Sequence, residues 1–398
     1  MPTDRLPLPM SPDPVRPAAA GLSSPAGERL TVVQMLPALD SGGVERGTLE
    51  IARALVEAGH RSVVISAGGR LVETLIAEGS EHVCLPVHRK SLRSLWQVRP
   101  LRECLAGLAP DVVHARSRVP AWLAWLALRG WQGGRRPAFV TTVHGLYSVN
   151  RYSAIMTRGE RVVAVSGTAR EYVLAHYPAC PPERIEVIHR GVSAQAFPAG
   201  YRPDTDWLQA WQAAWPQLAG RKVLTLPGRI TRLKGHESFI RLMAALKAAG
   251  EPVHGLIVGG AEARKQPYLA ELQAAVQAAG LAQDISFTGL RSDIRDVFSV
   301  SDLVLSLSSQ PESFGRTALE ALSLGVPVVG WDHGGIGEIL RRVHPAGAVP
   351  LNDMDGLVER VRAQLQAAPR SFAIPDDFRL ETMCARTLAL YRALAVRG

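Results

Sequence analysis

Two glutamates in the stretch PESFGRTALEAL, Glu312 and Glu320, flank a Phe-Gly step. Paired carboxylates first suggest acid–base work, and glycoside hydrolysis needs them about 5 to 9.5 Å apart. An all-helical span of this length, at about 1.5 Å rise per residue, would separate the backbones by about 12 Å, and by more if its first residues are extended. The spacing disfavours a close pair. It suits the two ends of an elongated polar ligand, such as a nucleotide-sugar with hydroxyls at each end and an anionic diphosphate between. Spacing alone leaves a second reading equally open, with Glu312 a loop carboxylate and Glu320 a solvated helix residue. Gly315 lets the backbone approach a ligand closely. A helix starting near Gly315 or Arg316 would aim free N–H groups and its positive dipole end at an anion or at sugar oxygens.

Three further stretches carry chemistry. In PGRITRLKGH, Arg229 and Lys234 share one loop with Gly228 and Gly235. A guanidinium that grips two oxygens and a point-charge ammonium together suit a diphosphate. If that diphosphate departs, they stabilise charge that grows in the transition state. Surface charge is the alternative. In DSGGVERG, Gly42 and Gly43 make a tight turn into a helix but lack both the GxGxxG and the GK[ST] pattern, which excludes a dinucleotide fingerprint and a P-loop. In TTVHGLYS, His144 stands at the end of a β-branched run, where either a cleft residue or a structural histidine would sit.

The elements that position these residues repeat one theme. LTVVQML, SVVIS, HVCLP, DVVHA, FVTTVH and RVVAVS are short β-branched runs, most of them separated by Ala- and Leu-rich helical segments. Continuous Val/Ile runs with helices between them predict a parallel sheet covered on both faces, the doubly wound α/β pattern. The theme breaks at about 192–220, where WLQAWQAAW places Trp207, Trp211 and Trp215 on one helix face, read as packing. It restarts with KVLTLPG, HGLIVGG, ISFTG, LVLSLS and PVVGW. The boundaries read as a disordered tail at 1–28, an N-terminal Rossmann-like acceptor domain at 29–200, a C-terminal Rossmann-like donor domain at 201–375, and a last helical segment at 376–398 docking back on the first domain. The cleft between two such domains is the default site.

Composition narrows the partners. The formal charge of +9 favours an anionic partner: nucleic acid, acidic lipid or a phosphorylated small molecule. No recognition helix or aromatic-basic nucleic-acid motif accompanies it, so no nucleic acid is expected. The four cysteines form no CxxC pair and read as reduced thiols, placing the chain in the cytoplasm. VPAWLAWLAL, closed by Arg118 and Arg129, is shorter than the roughly 20 apolar residues of a bilayer span and reads as a buried helix. HRKSLRSLWQVRPLREC (88–104) interleaves basic residues with Leu92, Leu95, Trp96 and Leu101. It fits an anionic membrane surface or a phosphorylated acceptor, and equally a surface helix with its apolar face in the core.

SGGVER, GRITRLKGH and ESFGRTALEALSLGVPVVG together resemble the retaining GT-B glycosyltransferases of glycosyltransferase family 4, over nearly everything from about Glu28 onward. The resemblance implies two Rossmann-like domains facing across a cleft and a nucleotide-sugar donor held by the second. It implies that Glu312 bonds donor-sugar hydroxyls with the Phe314 and Gly315 amides, that Glu320 bonds the ribose, and that Arg229 and Lys234 hold the diphosphate. Ser313 and Thr317 join the donor site, Gly42 and Gly43 close over the phosphates, and His144 lies near the reacting sugar. No metal and no other cofactor is implied. The acceptor would be a glycan or a lipid-linked glycan, of the lipopolysaccharide-core or envelope type, reached from the inner face of the plasma membrane. VIHRGVSAQAF departs from the family's interdomain segment: His189-Arg190 replace Pro-Asn, and Ser193 replaces Asp. The competing readings are a catalytically silent scaffold that only binds nucleotide, and a nucleic-acid-binding protein.

Overall fold

The computed structural model describes residues 29–40, 42–368 and 371–397, so the tail expected at 1–28 lies outside the described residues. The first sheet contains β1 (Thr31–Met35), β2 (Arg61–Ser66), β3 (Glu81–Cys84), β4 (Val112–Ala115), β5 (Ala138–Val143), β6 (Arg161–Ala164) and β7 (Ile185–Val187). Their spatial order is β3-β2-β1-β4-β5-β6-β7, and every pairing is parallel. The second sheet contains β8 (Lys222–Pro227), β9 (Val253–Val258), β10 (Ile285–Gly289), β11 (Leu303–Ser306), β12 (Val328–Trp331) and β13 (Ala348–Val349), in the order β10-β9-β8-β11-β12-β13, again all parallel. The doubly wound expectation holds for both halves. Two strands escaped the sequence reading, β7 and β13, because three and two residues are too short to show a period.

The β-branched runs are buried on both faces, which a parallel sheet under helices requires. All residues of β4, β5 and β9 are buried. Each sheet has a switch point where the winding reverses, between β1 and β4 and between β8 and β11. Crevices for ligands open at the carboxyl ends of the strands there. The loops after β1, β8 and β11 carry Gly42–Gly43, Arg229–Lys234 and Glu312.

The tryptophan stripe packs as read. Trp207 and Trp211 stack with ring centres 5.0 Å apart, over a cluster that includes Val223, Leu256 and Val297. VPAWLAWLAL lies within the helix Arg118–Arg129, with Leu123, Ala124 and Leu128 buried. No helix among the described residues is long and apolar enough to cross a membrane.

The helix Leu380–Arg397 packs on the first sheet, where Met383, Leu390, Tyr391 and Leu394 join Leu30, Val32, Val112 and Val140. Its Tyr391 is fully buried and its hydroxyl lies 2.6 Å from His114 Nδ1. The chain thus crosses between the domains twice. The two crossings run side by side: Val192 N donates to Phe378 O (2.9 Å) and Leu380 N donates to Val192 O (3.0 Å).

Candidate active site

The helix Arg316–Leu324 begins at Gly315, whose φ of 127° favours glycine, and has no side-chain cap. A Cβ at Gly315 would stand 2.2 Å from Ile336 Cδ1, so the tight loop needs glycine on two counts. Ahead of it, Glu312 sits in the loop after β11 and accepts from Lys234 Nζ at 2.8 Å and from Ser308 Oγ. Burial pushes the Glu312 carboxyl up, but Lys234, Ser308 and the nearby His333 outweigh it and hold the carboxyl below its ordinary value. The two motifs thus meet: the basic loop after β8 delivers its ammonium to the first glutamate. Arg229 does not join them. Its side chain is 76% exposed and pairs with Glu262 at 3.5 Å.

Glu320 lies on the second turn of the same helix with its side chain only 3% exposed. Its Oε1 accepts from Arg316 Nε at 3.0 Å and from Arg46 Nη1 at 2.9 Å. Arg46 belongs to the helix Gly43–Glu57 of the first domain, and Arg316 reaches back to Glu50 of that helix. Burial alone would lower the Arg316 pKa, but Glu50 and Glu320 raise it above the ordinary arginine value. The reading of Glu320 as a solvated helix residue is therefore set aside. It is the buried node of an ion network that joins the domains.

The helix Gly43–Glu57 also starts without a side-chain cap, at Gly42 with φ 149°. Among the described residues, a Cβ on Gly43 would meet nothing within 4 Å. Arg46 and Arg316 bring this helix start and that of Arg316–Leu324 together across the cleft. Two helix starts without a side-chain cap thus face the cleft near Lys234, with Glu45 in the first turn of one and Glu312 paired to Lys234 beside the other.

Other contacts close the cleft. Ser313 Oγ donates to the His144 carbonyl at 2.6 Å, and Ser166 Oγ donates to the Ser313 carbonyl at 2.5 Å. Phe314 turns its ring into the core, 5.8 Å from Phe378. Thr317 is half-buried on the first turn. Glu338 of the second domain caps the helix Gly167–His176 of the first, accepting from Gly167 N (3.2 Å) and Thr168 N (3.1 Å), and meets His189 Nε2 at 2.7 Å. Burial opposes its charge, yet the His189 contact and the two amides bring its pKa down to about 2.

His144 is held by a residue that sequence reading had noted only as a departure. Arg190 Nη2 donates to His144 Nδ1 at 3.0 Å. That bond fixes the proton on Nε2, which is buried and has no hydrogen-bond partner among the described residues. Burial first, and then the charges of Arg190 and Arg116, push the His144 pKa well below its ordinary value. The imidazole is neutral with one donor N–H free. Arg190 is itself buried, and its pKa falls to about 9, through burial and then through Arg316 and Arg116. It fits because Gly47 has no side chain: a Cβ there would lie 1.7 Å from Arg190 Nη1.

Sequence reasoning also missed Arg46, Glu50, Arg316, Ser166 and Glu338. Arg46 and Arg316 lie inside the quoted stretches SGGVER and ESFGR, so their position was visible and their pairing was not.

The comparisons with known proteins agree with this architecture. Residues 41–196 match the family described as Glycosyltransferase Family 4, and residues 209–371 match Glycosyl transferases group 1. A D-inositol 3-phosphate glycosyltransferase of Mycobacterium marinum is 26% identical over 94% of this chain and 83% of its own length. A protein of the same description from Jonesia denitrificans is 28% identical, and that match spans 57% of this chain and little more than half (56%) of the relative. The lipopolysaccharide core biosynthesis mannosyltransferase LpsB of Rhizobium meliloti is 26% identical over 60% of this chain and 67% of its own. Among solved structures, a glycosyltransferase from Rickettsia africae superposes with a TM-score of 0.80 at 27% identity, covering 94% of this chain and all of that one. HepE of Anabaena, solved with UDP-glucose, shares the fold at a TM-score of 0.74 and 20% identity, over 91% of this chain and all of that one.

Proposed function

The chain is a glycosyltransferase of the GT-B fold, and from that premise we propose that it moves a sugar from a nucleotide-sugar donor to a glycan or lipid-linked acceptor with retention of configuration. The observation that carries the reading is the meeting of Lys234 and Glu312 beside two uncapped helix starts. The carboxylate suits donor-sugar hydroxyls. The ammonium and the amides at Gly43 and Arg316 suit the diphosphate, whose charge grows as the glycosidic bond breaks. Glu320 suits the ribose through Oε2, since Arg46 and Arg316 both donate to Oε1. Arg229, exposed at the rim, would turn from Glu262 to the phosphates when the donor arrives. Opening of the cleft would bring the His144 Nε2–H, buried here, to the transferred sugar. The acceptor hydroxyl approaches the face the diphosphate leaves, and the departing phosphate takes its proton. The protein's own cations supply the positive charge, so we propose no metal, and chelator should leave turnover unchanged.

We place the reaction in cell-envelope glycan synthesis, in the cytoplasm at the inner face of the membrane. The likeness to LpsB supports this, as does the basic stretch 88–104. There Leu101 is buried while Leu95 and Trp96 stand 51% and 82% exposed, so one apolar edge faces the core and the other faces solvent. The test offers purified protein a panel of nucleotide-sugars and measures nucleoside diphosphate release with and without acceptor glycans. Release from one donor that Glu312→Ala abolishes supports the reading. Absence of both binding and release across the panel overturns it.

A further inference from the structure

Two arginines of the first domain are buried in one place with no acid to pair them. Arg116, just past β4, is 4% exposed, and Arg190, beyond β7, is 8% exposed. Arg116 Nε donates to Gln34 Oε1 at 2.7 Å, and its guanidinium also bonds the Tyr391 hydroxyl. Arg190 Nη2 donates to His144 Nδ1 at 3.0 Å. Each of these partners is neutral, and among the described residues no carboxylate pairs with either guanidinium. Glu50 acts on both from farther off and is itself bonded to Arg316. Burial lowers the Arg116 pKa, and burial, Arg316 and Arg116 in turn lower that of Arg190, so the two charges feel each other. A buried charge without a counter-charge is costly to keep.

Both arginines line a single cavity of about 20 Å³ under the helix Leu380–Arg397, whose Met383 and Thr387 form part of its wall. His144 lines it too, and its Nε2–H is buried without a partner among the described residues. The volume decides the size of a guest. A water-sized particle needs about 10–15 Å³ of such space, so a phosphate, a sugar or a nucleotide is too large. The lining decides the charge of the guest. No lining residue is acidic. The Thr142 and Thr387 hydroxyls are taken up by His114 at 2.6 Å and by the Met383 carbonyl at 2.7 Å. The surplus on the wall is therefore of donors. A water molecule would need acceptors for its own two hydrogens, whereas an anion needs donors alone.

We propose that this cavity is a binding site for one chloride ion, held between the Arg116 and Arg190 guanidiniums beneath the last helix. The ion balances the charge under His144 and ties Met383 and Thr387 of the returning helix to the first sheet. Aliphatic walls such as Ile51, Val163 and Ile188 suit a halide that sheds its hydration readily. The inference stands on the buried arginines and not on the reaction proposed above, so it holds or fails independently of sugar transfer.

The test grows crystals of the full chain with sodium bromide in place of chloride and locates bromide by its anomalous scattering. In parallel, thermal melts of the full chain, R116Q and R190M compare sodium chloride with sodium gluconate at equal ionic strength. The site is supported by a bromide peak in the cavity, together with a chloride increment in melting temperature of about 2–4 °C that both variants lose. If R116Q folds poorly, R190M and the bromide peak still decide. A water in the cavity with no anomalous peak overturns the proposal. So do bromide peaks confined to the surface, an adventitious ion only, and a chloride increment that either variant retains in full.

Discussion

Glu312 and Glu320 in the second domain each touch a cation that the protein supplies, at 2.8 and 2.9 Å, whereas among the described residues Lys90, Arg118 and Arg190 in the first domain touch no carboxylate. The second domain's half of the cleft is charge-balanced before any ligand arrives. Its side chains are already oriented, and a donor exchanges one set of polar contacts for another. The first domain's half is charge-excessive. It leaves its balance to be completed from outside, so its selectivity depends on the charge of what enters. This contrast separates substrate-holding geometry from substrate-selecting charge.

Breaking the balanced half should have the largest effect. Glu312→Ala should cut turnover by about 10²- to 10³-fold with the circular dichroism spectrum unchanged, since the carboxylate orients the reacting sugar and positions Lys234. Near-normal turnover would remove the second domain from the chemistry. In the other half, Arg190→Met should cost about 10-fold or more and move the acid limb of the rate profile to higher pH. Burial would still depress the His144 pKa, but the push from the neighbouring guanidinium would be gone, so the ring would protonate at a higher pH. An unmoved limb would make Arg190 a packing residue only.

Acid loads buried histidines in both domains without mutation, His114 and His144 in the first and His236 and His254 in the second. His236 of the second domain is 1% exposed, and burial brings its pKa down to about 4. Its unfolded form takes a proton near 6.5 and its folded form does not, so stability falls as pH drops below about 6.5. By pH 5 the loss from this residue is about 2 kcal/mol. His254 is depressed in the same direction by burial and by Arg221. Glu338, at about 2, adds its own loss only below about 4.5, so an onset near 6.5 is the mark of the histidines. Denaturant midpoints measured from pH 7.5 to 4 would show it, and a flat midpoint down to pH 5 would refute it. The smallest effect is expected at Gly43→Ala. Alanine favours a helix over glycine by about 0.5–1 kcal/mol, and its methyl would enter open space. The melting temperature should hold or rise while the donor KM increases a few-fold. An unchanged KM would mean that no ligand approaches that turn.

Much of this was legible because the signals were local. Each quoted strand run is a strand, Gly315 does start the helix, and the tryptophan stripe packs, all from period and turn chemistry. Partnerships were not legible. Arg46 and Glu320 lie 274 positions apart, and only the closed cleft shows that they pair. Arg190 was visible as an unusual residue in its loop, but its role depends on Gly47 leaving room and on His144 arriving from another strand. Arg229 shows the opposite failure: its motif placed it correctly in sequence, while exposure to solvent lets its side chain settle on Glu262.

The return of the last helix bears on how the protein is made. Residues 205–366 run continuously through the second sheet and its helices. The first domain cannot seal His114 until Tyr391 has been synthesised. Ribosomal order is therefore inverted at the level of completion: the half that is translated first is finished last. A stop codon placed just before Tyr391 would spare the later half and leave the earlier one open.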